Sequence, residues 1–342
     1  MKTLAWLVAT TLLVTACKKD DPAPAATPPA PTPTPTAGSG SGSAGSGSGS
    51  GSALSETEKV AARIKENAAE AAVEKARWTP ALEEAALALR DQKHENTKAA
   101  LTAIVASDHR VPGHKDRDAA RHPIETLAFF EIQPTSKVVE LGAGGGWYTE
   151  LLAPLLATQG KLVVAGPDPD GPADKMQTAY GKDLVDFLAK SKLFEKVERV
   201  ALKPPTISLG ADGSATHVIA MREMHNWQRR GELDAYLAGV HAVLGDGGIF
   251  GVEAHRAKPG TKGEDTADSG YLAEEWVIAK VEAAGFKLAE KSEINANPKD
   301  TKDYPNGVWT LPPNFREGDT DKAKYAAIGE SDRMTLRFVK TK

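Results

Sequence analysis

The stretch Val138-Val139-Glu140-Leu141-Gly142-Ala143-Gly144-Gly145-Gly146-Trp147-Tyr148-Thr149 decides how this 342-residue chain is read. A short, mostly apolar strand runs into a glycine turn, and a helical pattern follows. Glycine lets a backbone turn sharply and approach a ligand closely, and the helix behind it offers free N–H groups. In open α/β sheets ligands bind outside the carboxyl ends of the strands, and this turn is such an end.

Working outward, the same rhythm of strand, turn and helix repeats. Strands are expected at Lys137–Leu141, Lys161–Ala165, Val197–Ala201, Thr216–Ala220, Gly248–Ala254, Phe286–Ile294 and Met334–Val339. Helices fall between them at Trp147–Ala157, Ala173–Lys192, Gly231–Leu244 and Ala273–Ala284. This alternation predicts an α/β fold, a doubly wound, Rossmann-like sheet of seven mostly parallel strands. No long helix separates the last two strands, so a C-terminal antiparallel hairpin is expected. A helical segment precedes the sheet. Ser55-Glu56-Thr57-Glu58 reads as a capping box and Thr79-Pro80 as an N-cap and first helical residue. Arg121-His122-Pro123 opens a further helix, Ile124–Phe130. The stretch Asp300–Gly318 is long, Pro-rich and aromatic, and loops of that length in compact domains are usually functional.

The first 53 residues have another character. Met1–Cys17 carries a charged Lys2, an apolar run Leu4–Val14 too short to span a bilayer, and then Val14-Thr15-Ala16-Cys17. The ending resembles the bacterial lipobox, which implies a signal peptide, lipidation at Cys17 and a lipid anchor to a membrane. An ordinary secretory signal or a short membrane anchor is the alternative. Lys18 in place of Asp implies the outer membrane by the enterobacterial sorting pattern, and so a cell-envelope location, periplasm-facing or at the surface. Pro22–Ala53 holds seven Pro and seven Gly in 32 residues, the composition of a disordered tether. The expected organisation is signal 1–17, linker 18–53, helical prelude 54–98 and an α/β domain 99–342.

Composition removes several classes. Lys plus Arg number 42 against 46 Asp plus Glu, a net charge of −4, which argues against a nucleic-acid partner. A single cysteine excludes an internal disulfide, a four-thiolate zinc site and a two-thiol redox motif. No H-x-x-x-H, H-E-x-x-H or G-x-S-x-G spacing occurs, so no metal and no hydrolase elbow are expected. Nothing marks an obligate protein partner.

Two nucleotide cofactors compete for the glycine turn. A dinucleotide fingerprint counted from Gly142 needs Gly or Ala at position 147, where Trp147 stands. The residues instead resemble motif I of class I S-adenosylmethionine-dependent methyltransferases, E/D-x-G-x-G-x-G. That resemblance implies S-adenosylmethionine held by Glu140, Gly142, Ala143, Gly144 and Gly146, with Met221 at the end of the fourth strand. It also implies an acidic residue after the second strand for the ribose hydroxyls: Asp168, with Asp170 as the alternative. The segment His225-Asn226-Trp227 after the fourth strand looks like the His-Asp-Trp segment of small-molecule O-methyltransferases. There the histidine takes the proton of the accepting hydroxyl, which makes His225 the candidate general base; a strand-end capping role is the alternative. A hydroxyl is a poor nucleophile until its proton leaves, and imidazole suits that task. His122, Tyr148, Trp227 and His255 are expected to line the acceptor pocket, with a core position as the alternative for Trp227 and with Glu223, Glu253 and Arg256 near the same cleft.

From about Ala99 onward the chain resembles a group of secreted bacterial methyltransferase-like lipoproteins. The shared stretches are Arg121–Pro123, Gly144–Tyr148, His225–Trp227 and Asn297–Pro305. The resemblance implies methylation, at O or N, of a small-molecule acceptor. A non-catalytic cofactor-binding envelope protein and an NAD-type oxidoreductase are the competing readings.

Overall fold

The computed structural model describes residues 55–262 and 266–342. The expected signal, Cys17 lipobox and linker lie outside them. Among the described residues no helix is long and apolar enough to cross a membrane.

Before the sheet come helices α1 (Glu56–Arg77), α2 (Pro80–Asp91), α3 (Thr97–Ala106), α4 (Asp118–Arg121) and α5 (Pro123–Phe129). The Ser55 capping box forms: Ser55 Oγ accepts from the Glu58 amide, and the Glu58 carboxylate accepts from the Ser55 amide at 2.7 Å. Thr79 caps α2 ahead of Pro80. The alternating unit then runs β1 (Lys137–Leu141), α6 (Thr149–Leu156), β2 (Lys161–Pro167), α7 (Met176–Ala189), β3 (Glu198–Leu202), β4 (Ala215–Met221), α8 (Met224–Arg229), α9 (Leu233–Val243), β5 (Leu244–His255), α10 (Glu274–Ala283), β6 (Phe286–Ser292), α11 (Lys322–Ile328) and β7 (Arg333–Lys340).

The seven strands form one sheet in the order β3-β2-β1-β4-β5-β7-β6. All are parallel except β7, which is antiparallel to both β5 and β6. The fold is α/β and doubly wound, as the alternation of elements predicts. The hairpin differs in one respect. β6 and β7 do pair antiparallel, but β7 also inserts beside β5, so the later strand lies inside and β6 takes the edge.

Strand residues alternate between two apolar layers, as a pleat of period two requires. On one face Val139, Leu141, Val218 and Ala220 meet residues of α9 and α10 such as Val240, Val243, Val277 and Val281. On the other, Val138, Ile219 and Met221 meet Leu101, Ile104, Leu127, Leu151 and Leu155. The helical prelude leans on this second layer: Ala86 and Leu101 are fully buried, and buried Arg90 donates to the Lys192 carbonyl at 2.7 Å and to Glu195 at 2.5 Å.

The chain direction across the sheet reverses between β1 and β4. From β1 it steps outward to β2 and β3, then returns past β1 to β4 and β5. The crevice at the carboxyl ends of these two neighbours is the topological switch point, where open α/β sheets bind ligands.

Candidate functional site

The glycine turn occupies that switch point. Gly142, Gly144 and Gly146 have φ of +70°, +53° and +79°, a region that costs residues with a Cβ about 1–2 kcal/mol each. Their surroundings differ. A Cβ on Gly142 would overlap the Glu223 side chain, which reaches over from the end of β4, and one on Gly146 would overlap the Phe187 ring of α7. A Cβ on Gly144 would meet nothing within 4 Å, so this glycine faces open space. The first and third glycines permit close packing, and the middle one leaves a cradle.

Glu140 points from β1 toward α6, not into the cradle. It is buried, and its carboxylate accepts from Thr149 Oγ1 at 2.7 Å. Burial pushes its pKa up to about 7. Ala143 is half-buried against the α6 layer and Met221 is buried there. At the end of β2, Asp168 accepts from the Asp170 amide at 3.1 Å and from Lys203 Nζ at 3.2 Å. The amide first and then the ammonium hold its carboxyl below the usual range. Asp170 is exposed and serves the turn through its backbone.

Beyond β4 the backbone turns at Arg222, whose φ is +62°. The six-residue α8 then carries His225 and Trp227 in opposite directions. Trp227 turns inward and stacks on Tyr236, ring centroids 4.4 Å apart and 6° from parallel. It is a core residue, the second of the two places that the sequence leaves open for it. His225 is 4 % exposed and its Nδ1 has no hydrogen-bond partner. Its ring lies 5.5 Å from that of His255 and 5.8 Å from that of Trp309. Burial first, then the charges of Arg229, Arg222 and Arg230, push its pKa down to about 3. The imidazole is therefore neutral at any physiological pH. His255, at the end of β5, shares a 2.6 Å hydrogen bond with Ser331 Oγ, and burial lowers its pKa as well.

Behind the histidines lies a charged network at the carboxyl ends of β4 and β5 and the start of β7. Glu253 has no exposed surface. It accepts from Tyr148 OH at 3.1 Å and from Arg222 at 2.9 Å, and its oxygen lies 3.1 Å from Arg333 Nε. Glu330 in turn pairs with Arg117, Arg121 and Arg333 at 3.0, 3.0 and 2.5 Å. Tyr148 is thus held by this network, and burial raises its phenol pKa. His122, at φ +41°, meets Asn295 through a 3.4 Å contact on the far side of β7's first residues. Of the four expected pocket residues, only His255 stands beside His225.

Four residues of the site carry no warning in local sequence: Arg222, Arg316, Arg333 and Trp309. Trp309 comes from the long loop expected to be functional, but nothing singles it out within the loop. The arginines come from separate segments that only the fold brings together. Among the described residues no cluster of His, Cys, Asp and Glu could hold a metal ion.

No protein-family model matches the chain, and no curated protein matches it in sequence. Its likenesses are to solved structures. A SAM-dependent methyltransferase from Aquifex aeolicus is 14% identical over 73% of this chain and 100% of its own, at a TM-score of 0.44. The cyclase SpnF is 16% identical over 72% of this chain and 93% of its own, at 0.45. The N-methyltransferase NodS from Bradyrhizobium japonicum WM9, in complex with S-adenosyl-l-homocysteine, is 14% identical over 72% and 100%, at 0.42. Likeness at this level says nothing of the reaction, which has to be read from the residues themselves.

Proposed function

We propose that the protein is an S-adenosylmethionine-dependent methyltransferase acting on a small-molecule acceptor, with His225 as the base. The observation that carries this reading is the pairing, across one switch point, of a glycine cradle at β1 with a buried imidazole after β4 whose Nδ1 lacks a partner. The open space over Gly144 fits a ligand lying across the turn. Asp168 presents a carboxylate at the next strand end, suited to two hydroxyl donors. When bound, the cofactor supplies an electrophilic methyl group. Gly142, Gly144 and Asp168 would hold it, and Glu140 would fix the turn from behind through Thr149.

The chain's own contribution is placement and proton removal. A buried polar atom left unpaired costs about 1–3 kcal/mol, and a hydroxyl donating to His225 Nδ1 would relieve that cost. The same hydroxyl then has an acceptor for its proton as it becomes a nucleophile. Trp147 disfavours the NAD reading. Its indole is wedged between Arg110 and Arg121, guanidinium carbons 5.1 and 5.0 Å from the ring, at the place a dinucleotide turn keeps small. The low proton affinity of His225 favours, as the second reading, a protein that binds the cofactor without turnover.

Calorimetry on the full chain separates these readings. S-adenosylhomocysteine is expected to bind below millimolar levels, and NAD is not. The methyl-transfer reading fails if the affinities are reversed. His225→Ala is expected to abolish transfer of labelled methyl to extract components while keeping cofactor affinity. Binding with no transfer by the native chain would favour the second reading. We also read residues 1–53 as signal, lipid anchor at Cys17 and tether, which would place the domain at the cell envelope.

A further inference from the structure

Among the described residues the arginines around the histidines outnumber the carboxylates paired with them. In the network behind His255, four guanidinium groups, Arg117, Arg121, Arg222 and Arg333, share the two carboxylates Glu253 and Glu330. Trp309, 5.8 Å from the His225 ring, has two more beside it. The guanidinium carbons of Arg316 and Arg229 sit 4.7 and 5.6 Å from the Trp309 ring centroid. Among the described residues Arg229, itself exposed, pairs with Asp268 alone, whose side chain is almost fully exposed. Among the described residues Arg316 has no carboxylate within 4 Å, and the neighbouring Glu317 is engaged by Asn306 at 2.6 Å. Glu223, the acid nearest His225 in sequence, accepts from Asn226 and covers Gly142.

Positive charge that few carboxylates offset attracts anions, more strongly at half-buried Arg316 than at exposed Arg229. Two guanidinium groups gathered at one aromatic ring suit a planar or tetrahedral oxyanion, which arginine binds in a two-pronged manner. We propose that the acceptor is an anion, a small molecule bearing a carboxylate or phosphate group, which Arg316 and Arg229 receive beside Trp309 while its reacting atom meets His225. This deepens the methyl-transfer reading and rests on it. It also supplies what that reading lacks. The arginine charges contribute to the weak basicity of His225, and an anion bound among them would offset their field and raise its proton affinity when the acceptor is in place.

The test uses the full chain and three probes: benzoate, its neutral isostere benzamide, and phenyl phosphate. Binding is followed by calorimetry and by the ring resonances of His225. Benzoate or phenyl phosphate is expected to bind at least ten-fold more tightly than benzamide and to shift those resonances; which of the two is tighter distinguishes carboxylate from phosphate. Arg229→Gln combined with Arg316→Gln is expected to erase that preference, and Arg316→Lys alone to retain most of it. S-adenosylhomocysteine affinity, measured on the same proteins, is expected to stay unchanged and reports that the variants are folded. Equal binding of benzamide, binding of no probe, or an undiminished preference in the double variant would overturn the proposal. Failure of S-adenosylhomocysteine to bind the native chain would instead remove the methyl-transfer reading beneath it, while the anion preference is still read directly.

Discussion

At Gly146 the backbone sits at φ +79° with the Phe187 ring lying against its Cα, so a methyl group there meets two penalties at once. A left-handed conformation costs a side-chain-bearing residue about 1–2 kcal/mol, and overpacking adds about 1–3. Gly146→Ala is expected to lower stability by about 2–5 kcal/mol in denaturant unfolding. In a double-mutant cycle Phe187→Ala should recover only the overpacking part. Glu140 makes a second prediction. Its folded pKa of about 7 lies above the 4.5 of an ordinary glutamate. Between those values the folded state holds a proton that the unfolded state has released, so stability falls as pH rises from 4.5 to 7 and is level above. Glu140→Gln keeps an acceptor for Thr149 and removes the titration. The variant should gain on the native protein across that window by up to about 3 kcal/mol, measured as the difference in unfolding free energy at pH 5 and pH 8. A constant difference would mean that burial does not govern this carboxylate.

The elements divide by how local their cause is. All seven strands were legible because each is a short β-rich run bounded by glycine, proline or a helix, and the glycine turn marked the carboxyl end of β1 before any topology was known. α3, α4, α8 and α11 were not. Three of them are four to seven residues long, less than two turns, so no apolar period can develop. The missed α8 matters most, since its turn geometry sends Trp227 into the core and leaves His225 at the cleft. The insertion of β7 between β5 and β6 was equally hidden, because antiparallel pairing fixes neither which strand lies inside nor which takes the edge. Among the helices α1 is the least anchored. Val60 is its one buried residue, Ile64 and Val73 are exposed, and its attachment to α7 runs through Arg63 and Asn67 to Asp183. Its amides are expected to exchange with solvent deuterium at least ten-fold faster than those of β4, whose neighbours pair on both sides. Equal protection would show that α1 folds as one unit with the sheet.

For the whole molecule, anchoring and folding order are the open questions with direct tests. Cys17→Ser is expected to move the chain from the membrane fraction to the soluble fraction on cell fractionation, because a lipid anchor supplies the membrane affinity. Continued membrane recovery would point to an uncleaved apolar segment. The position of β7 bears on when the sheet can close. Ile249 of β5 pairs with Val339 of β7, and Phe286 of β6 pairs with Lys340. During synthesis β6 therefore emerges with no place in the sheet, and β5 presents a bare edge until β7 arrives. That interval is the chain's period of greatest exposure to mispairing. A lesion confined to β7 would strand two elements, not one, so the later strand acts as the keystone of the two made before it.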